Sequence, residues 1–157
     1  MLLLLYVSPC LPDQALRKRD AAERGSALAL WGGFVYYLMQ ALDKLPSVET
    51  VAYRGYPDQA TALTRYTVGR PIQWGAFSST STNVDIARAF TDKQQGVIFK
   101  LTLVAGKAIN MYSYFPQEDE LLISAQARFT VSSAPYAAPD GYVYIDMVEM
   151  KGTLFIS

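Results

Sequence analysis

From residue 97 onward, apolar runs of strand length follow one another with turns but no helix between them. Val97, Phe99, Leu101 and Leu103 alternate with Ile98, Lys100 and Thr102, the period of two that places alternate side chains on opposite faces of a strand. Residues 127–132, 142–150 and 153–156 read as further strands, with Pro139-Asp140-Gly141 as a turn. The regular strand–helix alternation of a parallel sheet is missing. Helical patterns lie earlier. Leu28, Trp31, Val35, Leu38, Leu42 and Leu45 recur every three or four residues, and Pro46 stops the run. Residues 57–66 and 83–92 read as two more helices, with Pro57 near the first turn of one and Thr82-Asn83-Val84-Asp85 a capping-box start for the other. Together these predict an α+β domain of two mostly antiparallel sheets packed together, with helices at its N-terminal side.

Composition narrows the chemistry more than the fold. The 157 residues include no histidine and one cysteine, Cys10. Ser-His-Asp and Cys-His arrangements, an intrachain disulfide and a cysteine-based metal cluster are therefore excluded, and no metal is expected. Reaction chemistry is left to carboxylates, hydroxyls, Arg/Lys or backbone. Formal net charge is zero and no basic run exceeds Arg17-Lys18-Arg19, so a nucleic-acid surface is not indicated. Eleven tyrosines and seven phenylalanines suit a β-rich core and a pocket for a flat ligand.

Met1 to Val7 is apolar, but no positive residue precedes it and no small-x-small site follows. It reads as a short apolar leader or a truncated start. Residues 13–26 are charged and helix-compatible. The expected division is a leader or solvated segment over 1–26 and one folded domain over 27–157. No stretch approaches the roughly 20 apolar residues of a membrane span. The compartment, cytoplasmic or secreted, stays open, as does the oligomeric state.

Three stretches stand out. In Tyr53-Arg54-Gly55, an arginine closes a short strand beside a glycine whose backbone allows close approach. Taken alone, such an arginine is usually a surface charge. Phe77-Ser78-Ser79-Thr80-Ser81 is either a plain turn or a polar strand with inward-bonding hydroxyls. In Gln117-Glu118-Asp119-Glu120-Leu121-Leu122-Ile123, strand phase places Glu118 and Glu120 on one face and Asp119 on the other. Like charges side by side on a sheet edge repel, so folding alone gives no reason for the pair. The bland alternative is an acidic loop that precedes a strand.

In this order and at these spacings, the three stretches resemble the mono-ADP-ribosyltransferases of the Arg-Ser-Glu class, the cholera-toxin-like clade with a Glu-x-Glu motif. The resemblance covers roughly residues 28–156. It implies the ADP-ribosyltransferase fold, NAD as co-substrate and a protein arginine as acceptor. Arg54 would hold the dinucleotide phosphates and ribose, and the Gly55 backbone would pair with the nicotinamide amide. Ser79 would orient the catalytic carboxylate, with Thr80, Ser81 and Phe90 also at the dinucleotide. Glu120 would be the catalytic acid, and Glu118 would place and activate the acceptor. Tyr114 and Phe115 would fall in the turn that recognises the protein substrate. An NAD glycohydrolase and a non-catalytic NAD- or partner-binding module are the alternatives. Ser124-Ala125-Gln126-Ala127 stands where the family usually has a proline-rich turn.

Overall fold

The computed structural model describes residues 21–152, with side chains from residue 32 onward. The strand expected over 153–156 and the apolar start of the chain lie outside these residues. In chain order the elements are α1 (Ala21–Asp43), β1 (Ser47–Tyr56), α2 (Gln59–Arg65), β2 (Pro71–Gln73), β3 (Ser78–Ser81), α3 (Val84–Ala89), β4 (Val97–Ala108), β5 (Glu120–Ile123), β6 (Arg128–Val131), β7 (Tyr136–Ala137) and β8 (Val143–Glu149). Two 3-10 turns, Asn110–Tyr112 and Pro116–Glu118, separate β4 from β5.

The alternating segment becomes β4, the longest strand, and the others are arranged about it. β1 runs antiparallel along it from Ser47↔Lys107 to Tyr56↔Val97. β8 runs parallel along its other edge from Val97↔Val143 to Thr102↔Val148, and β6 and then β2 continue the sheet antiparallel. β3 and β5 form a separate antiparallel ribbon, from Ser78↔Ile123 to Ser81↔Glu120. One end of the ribbon joins β1 at Tyr53↔Ser81, and β5 joins β4 at Lys107↔Leu122 and Ala108↔Leu121. Pairing therefore closes a circuit through β1, β3, β5 and β4. The expected α+β arrangement with mostly antiparallel sheets is what forms, and β4–β8 is its parallel pair.

Burial follows from the period of two. Val97, Phe99, Leu101 and Leu103 of β4 share a core with Leu121 and Ile123 of the ribbon and with Phe129, Val131, Ile145 and Met147. Each such side chain contributes on the order of 1.5–3 kcal/mol by leaving water. Ile98 points the other way, into a smaller cluster with Ala87 of α3 and Tyr144. The apolar stripe of α1 packs through Val35 and Leu42 onto Phe77, Ile109 and Leu122, with Leu38, Met39 and Leu45 beside them. The ribbon is thus covered on both sides, by β4 and by α1. Its side chains Ser78 to Ser81 and Glu120 to Ile123 are all buried.

Several expectations need correction. Helix α1 starts by Ala21, so the division expected between residues 26 and 27 falls inside one continuous helix. Asn83, not Thr82, caps α3, its side chain accepting from Asp85 N at 3.0 Å. In α2 the cap is Asp58, which accepts from Thr61 N at 2.9 Å, so Pro57 lies just before the helix. Strands β2 and β7, three and two residues long, leave no mark in the sequence pattern, because so short a run shows no periodicity. Buried Glu149 is also satisfied: its Oε2 accepts from Val104 N at 2.7 Å and Ala105 N at 2.9 Å. These amides lie at the irregularity where the β1–β4 register steps from Thr50↔Leu103 to Val48↔Gly106. Among the described residues, no helix is long and apolar enough to cross a membrane.

Candidate active site

The ribbon brings the hydroxyl run and the acidic segment together. Ser79 Oγ donates to Glu120 Oε1 at 2.5 Å, across 41 residues of sequence. Glu120 is 1% exposed, and a carboxylate this buried persists only with its oxygens hydrogen-bonded. A second hydroxyl, Ser113 Oγ on the β4–β5 connection, lies 3.3 Å from Glu120 Oε2 and donates to it. The neighbouring hydroxyls hold backbone. Thr80 Oγ1 donates to Leu121 O at 2.9 Å. Ser81 Oγ donates to Glu118 O at 2.5 Å and accepts from Asn83 N at 2.9 Å. The run is therefore a buried polar strand and not a plain turn. Ser79 and Ser81 tie it to the two acids, one through a carboxylate and the other through a main-chain carbonyl.

Arg54 reaches the same place from β1. It does not close its strand, which continues to Tyr56; it sits opposite Phe99, two pairs before the end of the β1–β4 ladder. Its Nη1 donates to Ser79 O at 2.6 Å, and its guanidinium lies 5.6 Å from the centroid of the Trp74 ring. Gly55 meets a packing requirement. A Cβ there would collide with the Ala87 carbonyl oxygen, so its missing side chain lets α3 pack directly on β1.

The acidic pair departs from the expected phase. β5 begins at Glu120, whereas Glu118 ends the 3-10 turn Pro116–Glu118. Asp119 between them is left-handed, with φ 45° and ψ 50°. Strand alternation therefore does not run through Glu118, and a turn sets its position relative to Glu120. Ahead of it, Tyr114 is 83% exposed and Phe115 39%, with Met111 and Tyr112 also at the surface.

Arg54 and Gly55 also line a cavity of about 610 Å³, with Ser78, Trp74, Tyr66, Phe90, Arg65 and Arg70 among its other walls. Trp74 Nε1 donates to Tyr66 Oη at 3.0 Å, and burial pushes the Tyr66 phenol above its ordinary pKa. Ser79, Thr80, Ser81, Glu118 and Glu120 are not cavity walls; all but Glu118 belong to the ribbon, which meets the cavity through Ser78, and Glu118 lies in the turn before it. Two guanidinium groups, Arg65 and Arg70, and the Trp74 ring belong to the cavity without having been singled out in the sequence. Trp74 adjoins the hydroxyl run, but a lone aromatic before Gly75 reads equally well as core.

The sequence model of the family described as NAD:arginine ADP-ribosyltransferase matches residues 29–153. Mav of Mycobacterium avium (strain 104), which carries the name of an NAD(+)–arginine ADP-ribosyltransferase, is 33% identical over 114 residues, 71% of this chain and 14% of Mav. Vis of Vibrio splendidus (strain 12B01), named for the same activity, is 26% identical over 142 residues, 85% of this chain and 57% of Vis. The chain thus spans only part of the length of both relatives. A crystal structure of Vis in complex with agmatine is similar at a TM-score of 0.72 and 26% identity, covering 90% of this chain and 68% of that one. HopU1 of Pseudomonas syringae pv. Tomato shares the fold at a TM-score of 0.69 and 20% identity, covering 88% of this chain and 63% of HopU1. Arginine, hydroxyl strand and buried glutamate meet on a fold shared with these enzymes, and the chain belongs to the NAD:arginine ADP-ribosyltransferase family.

Proposed function

We propose that this chain transfers ADP-ribose from NAD to an arginine side chain of a protein, releasing nicotinamide. The observation that carries the reading is Glu120, buried, bonded by Ser79 and joined through Ser79 to the Arg54 end of the cavity. The cavity chemistry suits a dinucleotide: guanidinium groups of Arg54, Arg65 and Arg70 for the pyrophosphate, and rings of Trp74, Tyr66 and Phe90 for flat bases.

Breaking the bond between ribose and nicotinamide sends its electron pair to the ring nitrogen, so nicotinamide departs neutral and needs no general acid. Positive charge grows on the ribose. A carboxylate fixed nearby in a water-poor ribbon stabilises that charge without reorganising, and one of its oxygens can accept from a ribose hydroxyl. Glycosidases use carboxylates against a similar oxocarbenium-like state. Glu118 is the acceptor-side acid in this reading. It attracts a guanidinium in a planar pair and takes its proton as the nitrogen forms the new bond to ribose C1. Tyr114 and Phe115, exposed just ahead of it, present an apolar surface to the acceptor protein. That Vis has been crystallised with agmatine, a small guanidinium compound, supports an arginine-type acceptor here.

The test is nicotinamide release from NAD by the purified chain, with and without agmatine, beside Glu120→Ala and Glu118→Ala. Labelled agmatine that disappears in both variants is the expected result. Release without agmatine labelling, lost in Glu120→Ala but kept in Glu118→Ala, would make the chain a glycohydrolase. No release under any condition would overturn the enzyme reading.

A further inference from the structure

We propose that Ser113 is a positioning residue for Glu120, and that it couples the aromatic β4–β5 connection to the orientation of the catalytic carboxylate. The proposal rests on the transferase reading of Glu120 given above. Glu120 receives hydroxyls at both carboxylate oxygens, and the two come from different parts of the molecule. Ser79, on Oε1, belongs to a buried strand held in register with β5. Ser113, on Oε2, is half-buried and follows the Asn110–Tyr112 turn, in a connection whose next residues are the exposed Tyr114 and Phe115.

The last torsion of a glutamate, between sp³ and sp² carbons, is broad, so a donor at one oxygen fixes that atom more firmly than the plane of the group. A donor at the second oxygen sets the plane. That plane decides where the outward lone pairs aim, and hence how the carboxylate meets a ribose hydroxyl and a ring gaining positive charge. The same Ser113 Oγ accepts from Phe115 N at 3.1 Å. One hydroxyl therefore links the fold of the connection, including where Phe115 begins, to Glu120. An acceptor that reshapes this connection would also re-aim the carboxylate. Conversely, the carboxylate helps to order the connection.

Three variants test the link: Ser113→Ala, Ser113→Thr and Glu120→Gln. Ser113→Ala should lower kcat for nicotinamide release roughly tenfold, the usual worth of a hydrogen bond to a charged group at the lower end of its range. KM for NAD should change less than twofold, because the cavity walls are untouched. Ser113→Thr keeps the hydroxyl and should recover most of the rate. Amide hydrogen exchange provides an arm that needs no turnover: Ser113→Ala and Glu120→Gln should both speed exchange at Phe115 and its neighbours. An Ala variant with kcat within twofold of the parent would overturn the proposal. So would a loss that falls mainly on KM and is not recovered by Thr, or exchange in the connection that Glu120→Gln leaves unchanged. A parent chain that releases no nicotinamide would instead overturn the transferase reading, and the exchange arm alone would then decide whether Ser113 and Glu120 are coupled.

Discussion

Two carboxylates on opposite sides of β4 are held in contrasting ways. Asp140 lies near the surface in the turn before β8. It accepts from Arg88 Nη2 at 2.5 Å, Tyr144 Oη at 2.6 Å and Tyr142 N at 3.0 Å, and Arg88 in turn reaches Asp85 of its own helix. Desolvation works to raise its pKa, yet the Tyr144 and Tyr142 hydrogen bonds and the Arg88 charge prevail and hold it down at about 2. Its partners make a brace between α3 and β8. Glu120 is far more deeply buried, and two serine hydroxyls meet its oxygens. A hydroxyl can rotate to follow a carboxylate whose electrostatic environment changes during a reaction, whereas a guanidinium fork holds one geometry. The Arg88 fork suits architecture, and the two hydroxyls at Glu120 suit the catalytic role proposed for it, response to a transient cation.

Removing the acids should separate these roles most sharply. Glu120→Ala is expected to lower nicotinamide release by roughly 10²–10³-fold, the scale of losing a preorganised electrostatic stabiliser; steady-state release assays check it. Asp140→Ala should leave that rate within about threefold and lower the melting temperature instead. Next in size, Glu118→Gln should reduce agmatine labelling about a hundredfold, as for a lost general base. NAD hydrolysis should persist, a split that chromatography of the two products would reveal.

A fourth change probes the packing that separates the two regions. Gly55→Ala places a methyl against the Ala87 carbonyl and should destabilise the domain by roughly 1–3 kcal/mol through overpacking. Denaturant titration should show the loss at an unchanged m-value. The smallest effect concerns pH. Because the folded pKa of Asp140 lies below its unfolded value, its contribution to stability is complete above about pH 4. It declines as pH falls and is gone once pH passes below about 2. Melting curves between pH 4 and 2 should therefore be flatter for Asp140→Asn than for the parent. Equal slopes would remove the brace from the comparison.

Sequence pattern carried much of this molecule. The alternation from Val97 to Leu103 identified the central strand, and the stripe from Val35 to Leu45 identified the helix face that covers the ribbon. The hydroxyl run and the acidic segment stand out because four hydroxyls before a helix and acids before an apolar triplet lack a packing reason, but within them Ser79 and Glu120 are singled out only by the family resemblance. Other features left no periodic trace. The left-handed Asp119 breaks the phase that would have put Glu118 on the strand, and nothing in Gln117-Glu118-Asp119 announces a 3-10 turn. Ser113 is a lone hydroxyl among aromatics, significant only once the connection folds back to Glu120. Gly55 is legible as a special position, but its packing against Ala87, in a helix about thirty residues further on, is not.

The strand made last among those described, β8, lies between β4 and β6 rather than at an edge. On a ribosome, β1 and β4 would emerge and could pair while one long side of β4 still lacked its neighbour. Ser79 and Glu120 would both be outside the exit tunnel before the centre of the sheet was filled. Competence for chemistry should therefore not precede β8, and a chain stopped before residue 143 should be both inactive and prone to pair with other strands along the exposed flank of β4.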